Sequence, residues 1–341
     1  MRFLLNHRRY LLPFRASVRT AHGVWAEREG VYLRLEDGQG NVGYGEVAPI
    51  PWFGTETVDE ALGALEQLAG NLDDEQVRLL PVRLACLKGG LTAAIADARR
   101  TEETNAARPG VDFLPLAGLL PAGRAALAAV CDKADAGFRV FKWKVGVEDA
   151  ADERAMLDDL VAALPEGGRL RLDANGAWDR RTAQRWLEHC ADRPVEFVEQ
   201  PVAPDSRGAD DLLLGLAGDF PTPIALDESL VRDGDVERWL GLGWPGVYVV
   251  KTSLLASPEA CCAALSRARA RVVFSSALET GLGAKAALGH AFAWDGERLA
   301  MGMGVWPLFE DSRFDGPPCL PFVRRAQVDD LNPENLWNAL S

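Results

Sequence analysis

No stretch of this 341-residue chain approaches the roughly 18 consecutive apolar residues of a membrane-spanning helix, so none is expected. Positive charge is also scarce. Lys and Arg number 37 against 50 Asp and Glu, leaving a formal net charge of −13. Attraction to nucleic acid or to an anionic membrane is therefore disfavoured, and neither is expected as a partner. The six cysteines (Cys86, Cys131, Cys190, Cys261, Cys262 and Cys319) have neither metal-type nor disulfide-framework spacing and read as reduced thiols. Histidine is rarer still. His7, His22, His189 and His290 belong to no partnered pattern and read as structural. Arg8-Arg9 is followed by no apolar stretch, because Pro13, Arg15 and Ser17 interrupt it. No export leader is read there, and a cytoplasmic location is expected.

Hydrophobic residues make up 48% of the chain and charged residues 26%, an ordinary globular composition. The length suffices for an α/β barrel plus a second unit. Residues 1 to about 110 differ in texture from the remainder. Alternation in Val31-Tyr-Leu-Arg-Leu35, ended by Asp37-Gly38, predicts antiparallel strands and a hairpin. A Gly/Pro-rich loop follows over 43–54, then helical stretches near 56–70 and 89–103, an α+β unit.

From about residue 112, short apolar segments alternate with amphipathic helical ones. Candidate strands are 113–116, 140–145, 170–173, 196–199, 224–227, 246–251 and 272–275, and 299–304 is the candidate for the last. Helical runs cover 122–136, 149–163, 180–190 and 257–269. Such alternation implies βαβ units and a parallel sheet. Lys144, Asp173, Glu199, Asp227, Lys251 and Ser275 end successive strands at intervals of 29, 26, 28, 24 and 24 residues, about one βα unit each. Seven or eight such units close a barrel. No Gly-x-Gly-x-x-Gly turn follows the first of these strands, which weighs against an open doubly wound sheet.

In a βα barrel all C-terminal strand ends open onto one face, and active sites are built there. One strand brings Lys142 and Lys144 to that face, and the next three bring Asp173, Glu199 and Asp227. Lys251 follows, then Ser275 and Ser276. Three converging carboxylates repel one another unless a cation neutralises them. An all-oxygen set without nearby His or Cys suits a hard divalent ion, Mg²⁺ first and Mn²⁺ second. Singly, each acid could cap a helix or face solvent. In sequence on neighbouring strands, between lysines, they form a site. Lys142 and Lys144 are two apart on a strand and share a face, with Phe141, Trp143 and Val145 on the other. Like charge and a metal should lower a lysine pKa there, toward general-base work. Arg171, two residues before Asp173, should also face inward.

Lys142-Trp-Lys144, Leu172-Asp-Ala-Asn175, Val198-Glu-Gln-Pro201, Ala225-Leu-Asp-Glu-Ser229 and Val249-Val-Lys251 resemble the enolase superfamily in order and spacing. The likeness is to its muconate-lactonizing-enzyme-like branch, with lysines on both sides of the substrate. Gly45-Glu-Val-Ala-Pro-Ile-Pro-Trp-Phe-Gly-Thr-Glu-Thr57 and Phe274-Ser-Ser-Ala-Leu-Glu-Thr-Gly-Leu-Gly283 resemble the o-succinylbenzoate synthase family within it. The resemblance implies a modified (β/α)7β barrel over 111–304 and an α+β capping domain from 1–110, to which 305–341 returns. It also implies a carbon–oxygen lyase of menaquinone or phylloquinone biosynthesis. The reaction implied is Mg²⁺-dependent syn dehydration of 2-succinyl-6-hydroxy-2,4-cyclohexadiene-1-carboxylate through an enediolate. Asp173, Glu199 and Asp227 would hold the metal, and Asn175, Glu228 and Arg171 would support them from behind. Lys144, Lys251 and Lys142 would be catalytic, Lys144 moving the proton and Lys251 stabilising negative charge with a cation–π contact to the substrate ring. Ser275, Ser276, Trp52 and Phe53 would line the substrate.

The nearest rival is a dipeptide epimerase or N-acylamino acid racemase using the same lysines. Epimerases of this type usually carry an Asp-x-Asp after the last strand, and Met301-Gly-Met-Gly-Val-Trp-Pro307 has none. A barrel kept only for binding would have lost a ligand or the base, and neither is lost.

Overall fold

The computed structural model describes residues 2–20, 23–68, 70–100 and 111–340. Near the N-terminus, β1 (Arg2–Thr20), β2 (Gly23–Asp37), β3 (Val42–Val47) and β4 (Asn71–Asp73) form an antiparallel sheet in the order β3-β2-β1-β4. The expected hairpin after Asp37 is present. Its carboxylate accepts from the Gln39 and Asn41 amides at 2.8 and 2.9 Å, an Asx-type turn. Thr57 and Glu60 form a reciprocal capping box that starts helix Val58–Gln67. Helix Ala85–Ala98 starts four residues before the expected 89, and residues 101–103 of that expectation lie outside the described residues. This helix lies on β3 so closely that a Cβ on Gly45 would meet the Gly90 carbonyl oxygen at 2.1 Å.

One candidate strand changes partner. Within 113–116, β5 (Phe113–Pro115) pairs antiparallel with β13 (Phe322–Arg324) in the tail, outside the barrel sheet. Pro115 has no N–H to give a central ladder. The barrel sheet is instead β6 (Gly118–Leu120), β7 (Val140–Lys144), β8 (Arg169–Asp173), β9 (Val195–Glu199), β10 (Ile224–Leu226), β11 (Val247–Val250) and β12 (Arg271–Phe274). These are parallel and in sequential order. Parallel bridges Leu116↔Met301 and Ser275↔Gly302 put 301–302 between the last strand and the first, the place expected for the eighth strand. Architecture and fold class are those expected, a modified (β/α)7β barrel with an α+β cap.

Parity organises the interior, because alternate residues face opposite sides of a strand. Phe141, Trp143, Leu170, Leu172, Val198, Leu226, Tyr248, Val250, Val272 and Phe274 face the helices and belong to the large core cluster. Phe197, Ala225, Val247, Val249 and Val273 form a separate cluster inside the barrel. Helix Arg180–Cys190 illustrates the facing layer. Its buried Ala183, Trp186, Leu187 and Cys190 recur at helical spacing, and Asp179 caps its first turn through the Thr182 amide.

The cap has its own core, which draws in Val231, Leu254 and Ala277 from loops beyond β10, β11 and β12. Apolar burial therefore seats the cap on the C-terminal face of the barrel. The tail returns to it, with a Phe14↔Phe309 bridge and a 2.7 Å bond from Arg8 to the Trp337 carbonyl. No helix among the described residues is long and apolar enough to cross a membrane.

Candidate active site

The parity that places Val247 and Val249 inside the barrel places Lys251 inside as well. The same reasoning sends Asp173, Glu199, Asp227 and Ser275 into the mouth beneath the cap. Lys144, Asp173 and Glu199 are cross-strand partners in register on β7, β8 and β9. Buried Phe141 and Trp143 turn the β7 lysines inward, as expected.

Lys142 Nζ lies 2.8 Å from both Asp173 Oδ2 and Glu199 Oε1. Across the mouth, Lys251 donates to Asp227. The lysines thus supply the counter-charge in this structure. Among the described residues, no three acidic, imidazole or thiol groups close on one point.

Electrostatics record the crowding. Burial, then Asp173, pushes Glu199 above the ordinary carboxyl range. Burial, then Asp173 and Glu199, raises Glu228 to about 7. For Lys142, burial pulls down but Asp173 and Glu199 outweigh it, so the ammonium is held above its usual range. The near neighbours of Lys142 here are carboxylates, and the lowering expected of a base lysine rests on a bound metal. Burial lowers Lys251 to about 8 despite its contact with Asp227. Desolvating a whole ammonium costs more than these carboxylates return.

The chemistry of these donors suits a hard divalent ion, although Asp173, Glu199 and Asp227 do not close on one point while the lysines lie among them. The carboxylates are buried and mutually repelling. Two further oxygens beside them, Asn175 Oδ1 and Glu228 Oε2, are buried without a hydrogen-bond partner. Asn175 ties the ligand strands together, since its side chain donates to Glu228 Oε1 at 3.0 Å and its amide to Asp173 Oδ1 at 3.1 Å.

Other expected residues divide. Arg171 faces inward, yet it lies below the mouth, bonded to Glu196 at 2.6 Å and the Ala300 carbonyl at 2.5 Å. Ser275 donates to the Gly302 carbonyl at 3.2 Å and Ser276 to Glu279 at 3.0 Å. Phe53 reaches the site, its ring 5.6 Å from Lys251 Nζ. The cation–π partner visible for that lysine is thus in the protein. Trp52 meets Trp25 edge-on at 4.7 Å.

Sequence reasoning passed over Gln200 and Glu279. Gln200 is fully buried at φ 37°, and its side-chain oxygen accepts from the Asp227 and Ser229 amides at 3.0 and 3.2 Å. Its amide donates to the Val202 carbonyl and Ser229 Oγ, which fixes the β10 end. Its place directly after Glu199 was the available signal. Glu279 is fully buried behind Ser276, and burial raises it to about 7. Nothing in its local sequence marks that.

Residues 125–320 match the family model described as Enolase C-terminal domain-like, and residues 5–97 match that for the MenC N-terminal domain. An o-succinylbenzoate synthase of Thermosynechococcus vestitus is 43% identical over 301 residues, 87% of this chain and 90% of that protein. The chain belongs to the o-succinylbenzoate synthase family of the enolase superfamily. The solved structure of the synthase from Thermosynechococcus elongatus BP-1, complexed with Mg in its active site, superposes with a TM-score of 0.82. It covers 98% of this chain and 99% of its own at 39% identity. A hydrophobic dipeptide epimerase of Roseobacter litoralis is 31% identical over 247 residues, 66% of this chain and 68% of its own. The BP-1 synthase is thus matched more extensively than this epimerase.

Proposed function

We propose that this chain is an o-succinylbenzoate synthase, a hydro-lyase that removes water from 2-succinyl-6-hydroxy-2,4-cyclohexadiene-1-carboxylate. The observation that carries the reading is the opposed pair of lysine faces. Lys142 and Lys144 on β7 and Lys251 beyond β11 flank the carboxylates at the ends of β8, β9 and beyond β10. The family match extends across both cap and barrel.

Asp173, Glu199 and Asp227 would hold Mg²⁺, with Mn²⁺ as a substitute. When bound, the ion supplies positive charge to the substrate carboxylate as the carbon beside it becomes negative. Lys142, which lies between Asp173 and Glu199 here, would yield that place to the ion. Lys144 takes the proton from C1. The electrons of that C–H bond form the C1–C6 double bond and complete the aromatic ring. The C6–O bond breaks, and the departing hydroxide recovers the proton from Lys144 as water. A single base serves both steps because hydrogen and hydroxyl leave from one face. Lys251 faces the other side of the substrate and balances its charge. Phe53 limits that ammonium's movement, and Trp52 shields the mouth. Ser275 and Ser276 line the wall beside the succinyl arm, with Asn175, Glu228 and Gln200 holding the ligand strands.

The test is turnover of the cyclohexadiene substrate with Mg²⁺, run beside dipeptides and N-succinylamino acids. Dehydration should dominate. Epimerisation without dehydration would overturn the assignment and favour the reading to which the Roseobacter relative points.

A further inference from the structure

Arg28 is 1% exposed and sits in the seam between cap and barrel. Its Nε donates to the Leu278 carbonyl at 3.1 Å. One terminal nitrogen donates to the carbonyls of Glu29 at 3.1 Å and Pro49 at 2.8 Å. The other donates to those of Ala48 and Ala277, the latter at 3.3 Å. A guanidinium has five N–H donors, and here all five end on backbone carbonyls. They join two chain segments that never meet in sequence. One, 48–49, roots the cap loop carrying Trp52 and Phe53. The other, 277–278, follows Ser275 and Ser276.

The surroundings reinforce that junction. The Arg28 guanidinium lies 5.1 Å from the Trp25 ring, which meets Trp52 edge-on. Arg232 of the barrel donates to the Gly54 carbonyl and holds the far end of the same loop. On the cap side, Glu46 accepts from the Thr280 amide at 3.1 Å, the Thr280 hydroxyl at 2.7 Å and the Gly283 amide at 2.6 Å. That carboxylate is an N-terminal partner for helix Gly281–Ala293, supplied from the cap.

We infer that Arg28 is a positioning residue that fixes the cap loop 48–54 against the 275–280 loop, and so sets the width of the chamber for the substrate's flexible arm. A planar fork with five donors can serve all five carbonyls at once, whereas a lysine ammonium has only three donors. The idea deepens the proposed function, from which the arm is taken. Its structural half stands on the contacts alone.

The test compares Arg28→Met, Arg28→Lys and Glu46→Gln with the wild type. Hydrogen exchange should speed up about tenfold or more in both 48–54 and 275–280 of Arg28→Met, with β8 and β9 unchanged. Its kcat/KM for the succinyl substrate should fall about 10- to 100-fold, mostly through KM. Discrimination against analogues with shorter or longer arms should narrow. Arg28→Lys should loosen at least one segment, and it carries the test if the methionine variant does not fold. Glu46→Gln should loosen 280–283 and leave 48–50 protected. Wild-type exchange and kinetics in a folded Arg28 variant would overturn the inference. So would uniform loosening of the whole chain, or equal loosening of 48–50 by Glu46→Gln. If the wild type fails to dehydrate the substrate, the functional reading falls while the exchange data still decide the clamp.

Discussion

Replacing Lys142 with Met should make the metal-free protein markedly less stable and more responsive to Mg²⁺ than the wild type. Met preserves most of the stem volume, so the effect isolates the ammonium. Its nitrogen is 2.8 Å from each of two carboxylates, Asp173 and Glu199. Removing one member of a buried ion pair typically costs 3–5 kcal/mol, because a charge is left uncompensated. The side chains here are 17%, 10% and 2% exposed for Lys142, Asp173 and Glu199. Solvent screens part of the loss, so about 2–4 kcal/mol is expected. A bound divalent ion would take over the charge balance that Lys142 provides. At 100 times its dissociation constant it adds about 2.7 kcal/mol. In the variant the Lys142 ammonium no longer lies between Asp173 and Glu199, so Mg²⁺ should bind more tightly and its stabilising increment should grow. Urea unfolding followed by tryptophan emission, in chelator and then in saturating Mg²⁺, measures both quantities. A metal-free variant within about 0.5 kcal/mol of wild type would refute the electrostatic argument, that being the range of an ordinary surface substitution. Equal Mg²⁺ increments in the two proteins would refute the competition between lysine and metal.

Lys144→Ala should lower turnover by about 10²- to 10⁴-fold, the usual worth of a general base, while isothermal titration finds Mg²⁺ still bound. Near-normal turnover would remove Lys144 from the mechanism. Glu279 is held at about 7 by burial, above its ordinary 4.5, so the folded protein binds more protons than the unfolded chain between those values. Stability contributed by this group therefore falls as pH rises from about 4.5 to about 7, and the loss is complete above that. Glu279→Gln should flatten that slope and raise stability at pH 8 relative to wild type, by on the order of 1–3 kcal/mol. Urea midpoints at pH 5 and 8 check this, and an unchanged pH dependence would contradict it. Gly283→Ala should destabilise the protein by about 1–3 kcal/mol in thermal melts, although alanine is the better helix former. Its Cβ would lie 2.7 Å from Glu46 Oε2 and 2.9 Å from Glu279 Cβ. A gain in stability would mean that the Glu46 seam yields at no cost.

Much of the site was legible before any coordinate. Strand ends repeating at the length of one βα unit, together with parity, are local properties. They were enough to send Lys142, Lys144, Asp173, Glu199, Asp227 and Lys251 to one mouth. Ser275 and Ser276 follow β12, as the spacing implies, and their hydroxyls donate to Gly302 and Glu279, which strand position alone does not reveal. The segment 113–116 looked like a barrel strand because its apolar pattern fits either neighbour. Only the returning tail decided that β5 pairs with β13.

The sequence by itself determined the barrel, the order of lysines and acids around its mouth, and the oxygen-rich chemistry of a hard cation. Those follow from spacing along the chain and from the alternation of side chains on strands. Tertiary structure decided which charges neutralise which. It placed Lys142 between Asp173 and Glu199, buried Lys251 against Asp227, and hid Glu279 and Gln200 behind the site. It alone brought Arg28 and Glu46 from the cap to a loop about 230 to 250 residues distant in sequence. Burial and charge pairing depend on what the rest of the fold brings within a few ångströms. Local sequence fixes where a side chain points, and the assembled fold fixes what it meets there.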